Sequence, residues 1–311
     1  DKKTDVRISA QSKMLCHSCA KCARVCPMQL HPYLEFDGNN QFGSDTCIKC
    51  KTCMKNCPAD ILSLHSEQSA INSTQRIEKA HRLTKPEHSA VIEKLNMFDE
   101  SILEITFKIN SETVEFIPGQ FILVKMQENP RMNRAYSISG FDPETKTLRI
   151  TVKKVLNGYG SNILFNLFKE GDEVTLEGPL GYELNLDISA KNILLVAGGI
   201  GITPFLPMLK DLHDTNFTGN VHFIHGVNKE SELLYVNEIE SLLSDNIKYT
   251  PVVAFDENYQ GEKGFVTDIL EKLTLNDTKI YMCGPKPMVS NAEKLLEKMN
   301  FNMKNLFVES G

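Results

Sequence analysis

Cys16-His17-Ser18-Cys19-Ala20-Lys21-Cys22 leads on to Cys26-Pro27, and the same rhythm returns as Cys47-Ile48-Lys49-Cys50-Lys51-Thr52-Cys53, leading on to Cys57-Pro58. Every cysteine of the first stretch has a counterpart 31 positions later, 47 against 16 and 57 against 26. Eight of the nine cysteines stand in these two stretches. Three thiols at two-residue intervals crowd onto one tight loop, and a fourth follows it. The proline behind the fourth has no N–H and a fixed φ, so the chain turns away there. The first sixty residues read as a small unit organised by sulfur.

The spacing C-x2-C-x2-C-x3-C-P resembles that of the bacterial two-cluster ferredoxins. That resemblance implies two 4Fe-4S clusters with crossed fourth ligands: Cys16, Cys19, Cys22 and Cys57 on one, and Cys47, Cys50, Cys53 and Cys26 on the other. Disulfides and zinc sites also use even counts and C-x2-C pairs, but neither accounts for a triplet followed by Cys-Pro and repeated at one offset. Thiolates and clusters both call for a reducing compartment, so the expected location is the cytoplasm or the cytoplasm-facing part of a longer, membrane-associated protein. Residues 1–65 hold nine Lys or Arg against six Asp or Glu, a formal +3, which leaves 25 against 34 for the rest. Lys21, Arg24, Lys49, Lys51 and Lys55 lie in or beside the ligand loops, where they would raise cluster potentials or offer an acidic partner a docking face. Plain solvation is the simpler use of the same charges.

The whole chain has 311 residues, more than one hydrophobic core usually serves, so two domains are expected and a third if metal holds one together. Hydrophobic residues at 41% and charged residues at 24% exclude a collagen-like, disordered or polytopic membrane chain. A net charge of -6 argues against nucleic acid as the main partner. Asn192 to Leu209 carries no formal charge, yet Gly198, Gly199, Gly201, Pro204 and Pro207 punctuate it as strand, glycine turn and helix and not as a membrane span. No signal-peptide h-region follows the N-terminus. The first residue is Asp, as in a processed product or an excerpt of a longer protein with room for an anchor or further domain.

From Ser66 to Glu87 the chain is polar and reads as a connector with a short helix around Ile77 to Leu83. Beyond it come short runs rich in Ile, Val, Phe and Thr: Ser89 to Leu95, Ile102 to Ile109, Phe121 to Met126, Leu148 to Val155 and Glu173 to Glu177. Pro118-Gly119 and Gly171-Asp172 supply turn chemistry between some of them. This is the pattern of an antiparallel barrel.

Within it stands Arg134-Ala135-Tyr136-Ser137-Ile138-Ser139, which resembles the R-x-Y-S motif of the ferredoxin-NADP reductase superfamily. The resemblance implies a flavin-binding barrel followed by a nicotinamide-nucleotide domain. Arg134 would fork onto a phosphate, Tyr136 would face the isoalloxazine, and Ser137 would bring a hydroxyl near its redox-active nitrogen. Strand alternation puts Arg134 and Tyr136 on one face and Ser137 on the other, so a bend or bulge is expected. Ile150 and Val152 count among the cofactor-binding positions. Gly158-Tyr159-Gly160-Ser161 resembles the family's segment that opens a helix on the flavin pyrophosphate, with Ser161 as its cap. Gly178-Pro179-Leu180-Gly181 resembles the turn that ends the barrel.

Ile193 to Ala197 reads as a buried strand, and Gly198-Gly199-Ile200-Gly201-Ile202-Thr203-Pro204 resembles the family's pyrophosphate loop, with Thr203 and Pro204 starting a helix. Val221 to Val227, Ile247 to Ala254 and Lys279 to Met282 read as further strands of a doubly wound sheet. Cys283-Gly284-Pro285, with Met288, resembles the segment that lies against the nicotinamide in the family; a small buried thiol is the plainer role for Cys283. Ala254-Phe255-Asp256-Glu257 stands where NADPH-using relatives carry Ser and Arg, and its acids would repel a 2′-phosphate, so NADH is preferred over NADPH. Solvated turn residues at Asp256 and Glu257, with Lys229 reaching a phosphate, are the contrary reading. Glu309 matches the family's terminal acid and would relay a proton, unless it is a surface group at a frayed end. Gly311 replaces the usual aromatic.

The expectation is thus a multidomain α+β and α/β chain: a ferredoxin-like 2x(4Fe-4S) domain at 1–65, a linker at 66–87, an antiparallel FAD-binding β-barrel at 88–188 and a doubly wound, parallel-sheet NAD(P)H-binding domain at 189–311. NADH would deliver a hydride to FAD (or less readily FMN), and two 4Fe-4S clusters would carry single electrons to a redox partner. Tyr136, Ser137, Cys283 and Glu309 are the expected catalytic set. The rivals are an electron-input subunit of a larger complex, of sulfite reductase, hydrogenase or membrane oxidoreductase type, and a non-catalytic iron-sulfur sensor.

Overall fold

The computed structural model describes residues 6–10, 16–36, 41–44, 46–48, 50–59, 61–66, 86–111, 114–130, 132–156, 158–181 and 184–310. The expected connector helix, Lys49 and Gly311 lie outside these residues. The chain forms two compact units, one of Asp1–His88, Leu123–Ala135 and Val174–Gly178, the other of Ser89–Ile122, Tyr136–Glu173 and Pro179–Gly311.

In the first unit, β1 (Val6–Ala10) lies between β2 (Gln41–Phe42) and β3 (Leu62–Ser66), antiparallel to both. Two one-turn helices carry the ligand loops, α1 (Lys21–Arg24) and α2 (Thr52–Lys55). The residue before each, Ala20 and Lys51, is left-handed, at φ 58 and 64. These two residues and the two helices keep the cysteines' 31-residue offset, so the repeat is one of backbone as well as of sequence. Cys22, Phe42, Cys53, Ile61 and Leu62 form the small buried core.

Six antiparallel strands close the barrel in the order β4-β5-β8-β7-β6-β9: β4 (Glu87–Asp99), β5 (Ile102–Ile109), β6 (Phe121–Gln127), β7 (Met132–Asp142), β8 (Thr147–Lys153) and β9 (Glu173–Leu180). On β5, Leu103, Ile105, Phe107 and Ile109 are buried at every second place, the period of a strand with one face inward. Two expected limits move. The run expected to end at Val155 leaves the sheet at Lys153, and β9 continues through Leu180, so the expected barrel-ending turn is largely strand. Helix α3 (Tyr159–Asn166) stands between β8 and β9.

The rest is a parallel sheet in the order β13-β12-β11-β10-β14-β15, comprising β10 (Asn192–Gly198), β11 (Asn220–Val227), β12 (Ile247–Val253), β13 (Glu262–Lys263), β14 (Thr278–Gly284) and β15 (Leu306–Ser310). Its helices are α4 (Phe205–Asp214), α5 (Val236–Glu240), α6 (Val266–Leu270) and α7 (Lys286–Lys298). Ile193, Leu195 and Ala197 pack with Phe205, Leu206 and Leu209 of α4 on one face, and Leu194 and Val196 with Ile269, Val289 and Leu296 on the other. Each fully buried Leu or Ile stabilises by about 1.5–3 kcal/mol, so both layers hold the sheet firmly. The C-terminal run is not frayed: β15 pairs with β14, and Phe307 stacks on Tyr281 at 4.9 Å.

Candidate functional site

Strand order locates the crevice. From β10 the sheet grows through β11 to β13 on one side and through β14 and β15 on the other. Winding therefore reverses between β10 and β14, and ligands bind beyond the carboxyl ends at such a switch point. Gly198 ends β10 and Cys283-Gly284 ends β14, so the two loops expected to hold the dinucleotide meet there. They meet closely: a Cβ at Gly201 would lie 2.3 Å from the Cys283 carbonyl oxygen, and one at Gly198 2.4 Å from the Met288 sulfur. Gly199, at φ +53, is different, because a Cβ there would meet nothing within 4 Å. Gly198 and Gly201 close the loop on its neighbour, while at Gly199 the space beside the backbone is open.

The helix start differs from the expectation. A 3-10 turn runs from Gly199 to Ile202, Pro204 is the N-cap of α4, and the Thr203 hydroxyl donates to the Ile200 carbonyl at 3.1 Å instead of capping. Ser161 is not a cap either. Gly158 is the N-cap of α3, with Gly160 buried in its first turn; the Ser161 hydroxyl accepts from the Val155 N–H at 3.1 Å and donates to the Gly158 carbonyl, which ties the helix to the turn before it.

On β7 the pairing with β8 shifts between Ile138 and Gly140, and Ile138 and Ser139 are buried in succession. This break in alternation falls beyond Tyr136 and Ser137, both half-buried, downstream of the place where a bend was expected to bring Ser137 to the face of Arg134 and Tyr136. One arm of Arg134 donates to the Cys19 carbonyl at 3.0 Å, where the whole fork was expected to face a phosphate. Ile150 and Val152 lie in the barrel wall with 0% and 3% exposure, which leaves their side chains little surface for a cofactor.

Among the ligand loops, Cys26, Cys47, Cys50 and Cys53 line one cavity together with Met28, Leu30, Phe42 and Ile48. Burial pushes the Cys22 thiol up to about 12, and Cys16 and Cys19 add to the rise, so these three sulfurs lie within electrostatic reach of one another. Cys57 packs with Cys16 against the core that holds Cys22. Among the described residues, which include all nine cysteines, no disulfide forms and no three His, Cys, Asp or Glu groups gather tightly enough for a single metal ion. A cubane has its irons at separate corners and holds its sulfurs further apart than one tetrahedral ion does, so the donor set fits clusters better than zinc.

Models of three protein families match in succession: a 4Fe-4S dicluster domain over residues 15–62, an oxidoreductase FAD-binding domain over 90–183 and an oxidoreductase NAD-binding domain over 195–294. The toluate 1,2-dioxygenase electron transfer component of Pseudomonas putida is 30% identical over 227 residues, 71% of this chain and 67% of that protein. The chain belongs to the ferredoxin-NADP reductase superfamily. A reductase subunit of glycine betaine monooxygenase from Pseudomonas aeruginosa is 29% identical over 63% of this chain, which spans only 56% of that protein's length. The ferredoxin reductase in carbazole 1,9a-dioxygenase shares the fold, with a TM-score of 0.66 at 21% identity over 74% of this chain and 70% of its own. This reductase is accordingly an NAD(P)H-dependent flavin oxidoreductase that binds FAD and relays electrons through its 4Fe-4S dicluster domain. No helix among its described residues is long and apolar enough to cross a membrane.

Cys283 is buried opposite Glu309 in the β14–β15 register, and burial, with the Glu309 charge adding, holds the thiol up and protonated. Asp256 follows β12 and accepts from the Asn258 N–H at 3.2 Å, a turn-forming bond. On either side of that turn Phe255 and Phe265, 67% and 55% exposed, meet edge to face at 5.8 Å.

Two groups escaped sequence reasoning. His225, wholly buried at the end of β11, bonds through Nε2 to the Gly199 carbonyl at 3.0 Å and through Nδ1 to the Tyr249 hydroxyl at 3.3 Å. A carbonyl only accepts, so Nε2 carries the proton and Nδ1 receives the Tyr249 hydrogen. Burial pushes this imidazole down to about 4 and keeps it neutral. It thereby fixes the peptide of the half-buried Gly199 in the loop after β10. A histidine between apolar strand residues gives no spacing signal for that contact. The second group is a polar network around Tyr235.

Proposed function

We propose that this reductase takes its electrons from NADH in preference to NADPH and is the electron-input module of a multicomponent enzyme. The observation that carries the nucleotide preference is the turn after β12. There Asp256 and Glu257 place carboxylates where a 2′-phosphate would need cations, while Phe255 and Phe265 leave exposed rings to an adenine. The module reading is supported by relatives that are themselves named as components of toluate dioxygenase and glycine betaine monooxygenase. An oxygenase-type acceptor is the partner this favours. The thiol-rich loops favour a reducing compartment such as the cytoplasm. Domain limits at 65/66, 87/88 and 188/189 remain the assignment that the motifs support.

FAD, when bound, supplies the conversion of an electron pair into the single electrons that a 4Fe-4S cluster accepts. The chain's own residues bind and orient. Gly199 leaves the pyrophosphate an open approach, and Cys283 presents a small, uncharged wall beside the nicotinamide. Tyr136 and Ser137 take the ring-facing and hydroxyl-donating roles on β7. Glu309, two positions from the last residue, is assigned to proton exchange beside Cys283.

Anaerobic stopped-flow mixing of the holoenzyme with NADH and NADPH in parallel tests this. Flavin bleaching should be at least about tenfold faster with NADH, a preference of about 1.4 kcal/mol. Equal rates would remove the argument from Asp256. Tyr136→Ala should lower flavin content and leave iron content near normal.

A further inference from the structure

Glu104 on β5, Ser139 on β7, and Arg149 and Thr151 on β8 meet Tyr235 and Glu238 at the start of α5 in the nucleotide-binding half. The Tyr235 oxygen lies 2.6 Å from Glu104 Oε2 and 2.5 Å from Thr151 Oγ1, and Ser139 Oγ lies 3.2 Å from Thr151. An ionised carboxylate only accepts, so the directions follow: Tyr235 donates to Glu104, Thr151 to Tyr235, and Ser139 to Thr151. Arg149 Nη2 donates to the Ser139 carbonyl at 2.9 Å and to Glu238 Oε1 at 2.8 Å, and its guanidinium lies 4.9 Å from the centre of the Tyr235 ring.

Tyr235 sits at φ 59, a left-handed conformation that a bulky side chain adopts only when its surroundings over-determine it. Arg149 Nε is buried without a hydrogen-bond partner among the described residues, and its nearest carboxylate oxygen, Glu104 Oε2, is 3.6 Å away. Simple packing would not need this. Apolar side chains of like volume would cover the same area without a strained tyrosine or an unfilled donor. What charged and directed bonds add is one fixed geometry.

We propose that Tyr235, Glu104 and Arg149 are positioning residues that set the nicotinamide-holding half against the flavin barrel. The inference rests on the reading that the dinucleotide reduces a flavin held by the barrel. Ser139 closes the flavin motif of β7, and Thr151 stands between Ile150 and Val152 on β8. The network therefore grips the two strands expected beside the flavin, and on the other side the helix that follows β11. Transfer between two rings falls steeply with misplacement, by about 100-fold for 1 Å, so loosening this joint should slow the transfer step and spare the binding of either ring.

The test uses holoenzyme carrying Tyr235→Phe, Glu104→Gln, both together, or Arg149→Lys. Anaerobic flavin reduction is followed across NADH concentrations, so that the limiting rate and the dinucleotide Kd are read separately. The expected result is a limiting rate lowered about tenfold, with Kd and flavin content within about twofold of the parent. The double variant should be no slower than the slower single one, because the two share one bond. Hydrogen exchange gives a readout independent of turnover: amides of residues 235–240 should exchange faster in Tyr235→Phe. Unchanged limiting rates and unchanged exchange would overturn the proposal, as would a rate loss matched by equal flavin loss. If the parent enzyme is not reduced by NADH at all, the functional reading fails, and the exchange measurement still judges the joint.

Discussion

Around the ligand loops the buried core is Cys22, Phe42, Cys53, Ile61 and Leu62, so two of its five members are expected metal ligands. Around β10 the core consists of strand and helix side chains packed on both faces, and the glycines expected to receive the dinucleotide, Gly198, Gly199 and Gly201, stand at its edge, where β10 ends and the next turn begins. In the first region residues expected to do the chemistry also hold the fold. In the second the two tasks are separated, and a rigid apolar slab carries loops free to suit the ligand. The first should therefore stand or fall with its metal, and the second should be indifferent to it.

Removing iron gives that contrast its hardest trial. After anaerobic chelation, hydrogen-exchange protection across residues 16–66 should collapse, while residues 192–284 keep theirs; metal binding in small domains contributes on the order of 10 kcal/mol of folding free energy. Protection in the loops that survived without iron would erase the distinction. A smaller effect probes the other region. Gly201→Ala puts a methyl 2.3 Å from the Cys283 carbonyl oxygen and should weaken NADH binding by about 2–3 kcal/mol, read by titration, with iron content unchanged.

The smallest effect is a matter of pH. His225 binds its proton at about 4 when folded and near 6.5 when unfolded, so between those values the unfolded chain holds more protons. Its contribution is present above 6.5 and is lost as pH falls toward 4. Melting of the nucleotide-binding half should drop between pH 7 and 5 by an amount on the order of 1–2 kcal/mol, and His225→Gln should flatten that dependence.

The same division explains what the sequence made legible. Cysteine spacing is a pattern written along one dimension, and the expected grouping of Cys26 with the other triplet matches their shared cavity. Strands such as Ile102–Ile109 were legible from their richness in β-branched and aromatic residues. Caps were not: Ser161 and Thr203 are good capping types, but both hydroxyls bond back into the preceding turn, a choice set by local backbone geometry. Nor was the Tyr235–Glu104 bond, whose partners stand 131 positions apart on elements that meet only in the folded chain. His225 gave no signal because its partner is a carbonyl, which every residue type possesses.

Cys26 belongs by sequence to the first stretch, yet it lines the cavity with Cys47, Cys50 and Cys53. The two stretches are thereby interlaced like links of a short chain. With the crossed ligand set expected from the sequence, a fragment cut between Pro27 and Cys47 would leave the downstream triplet short of its fourth sulfur, and the half-repeat would not survive transplantation by itself.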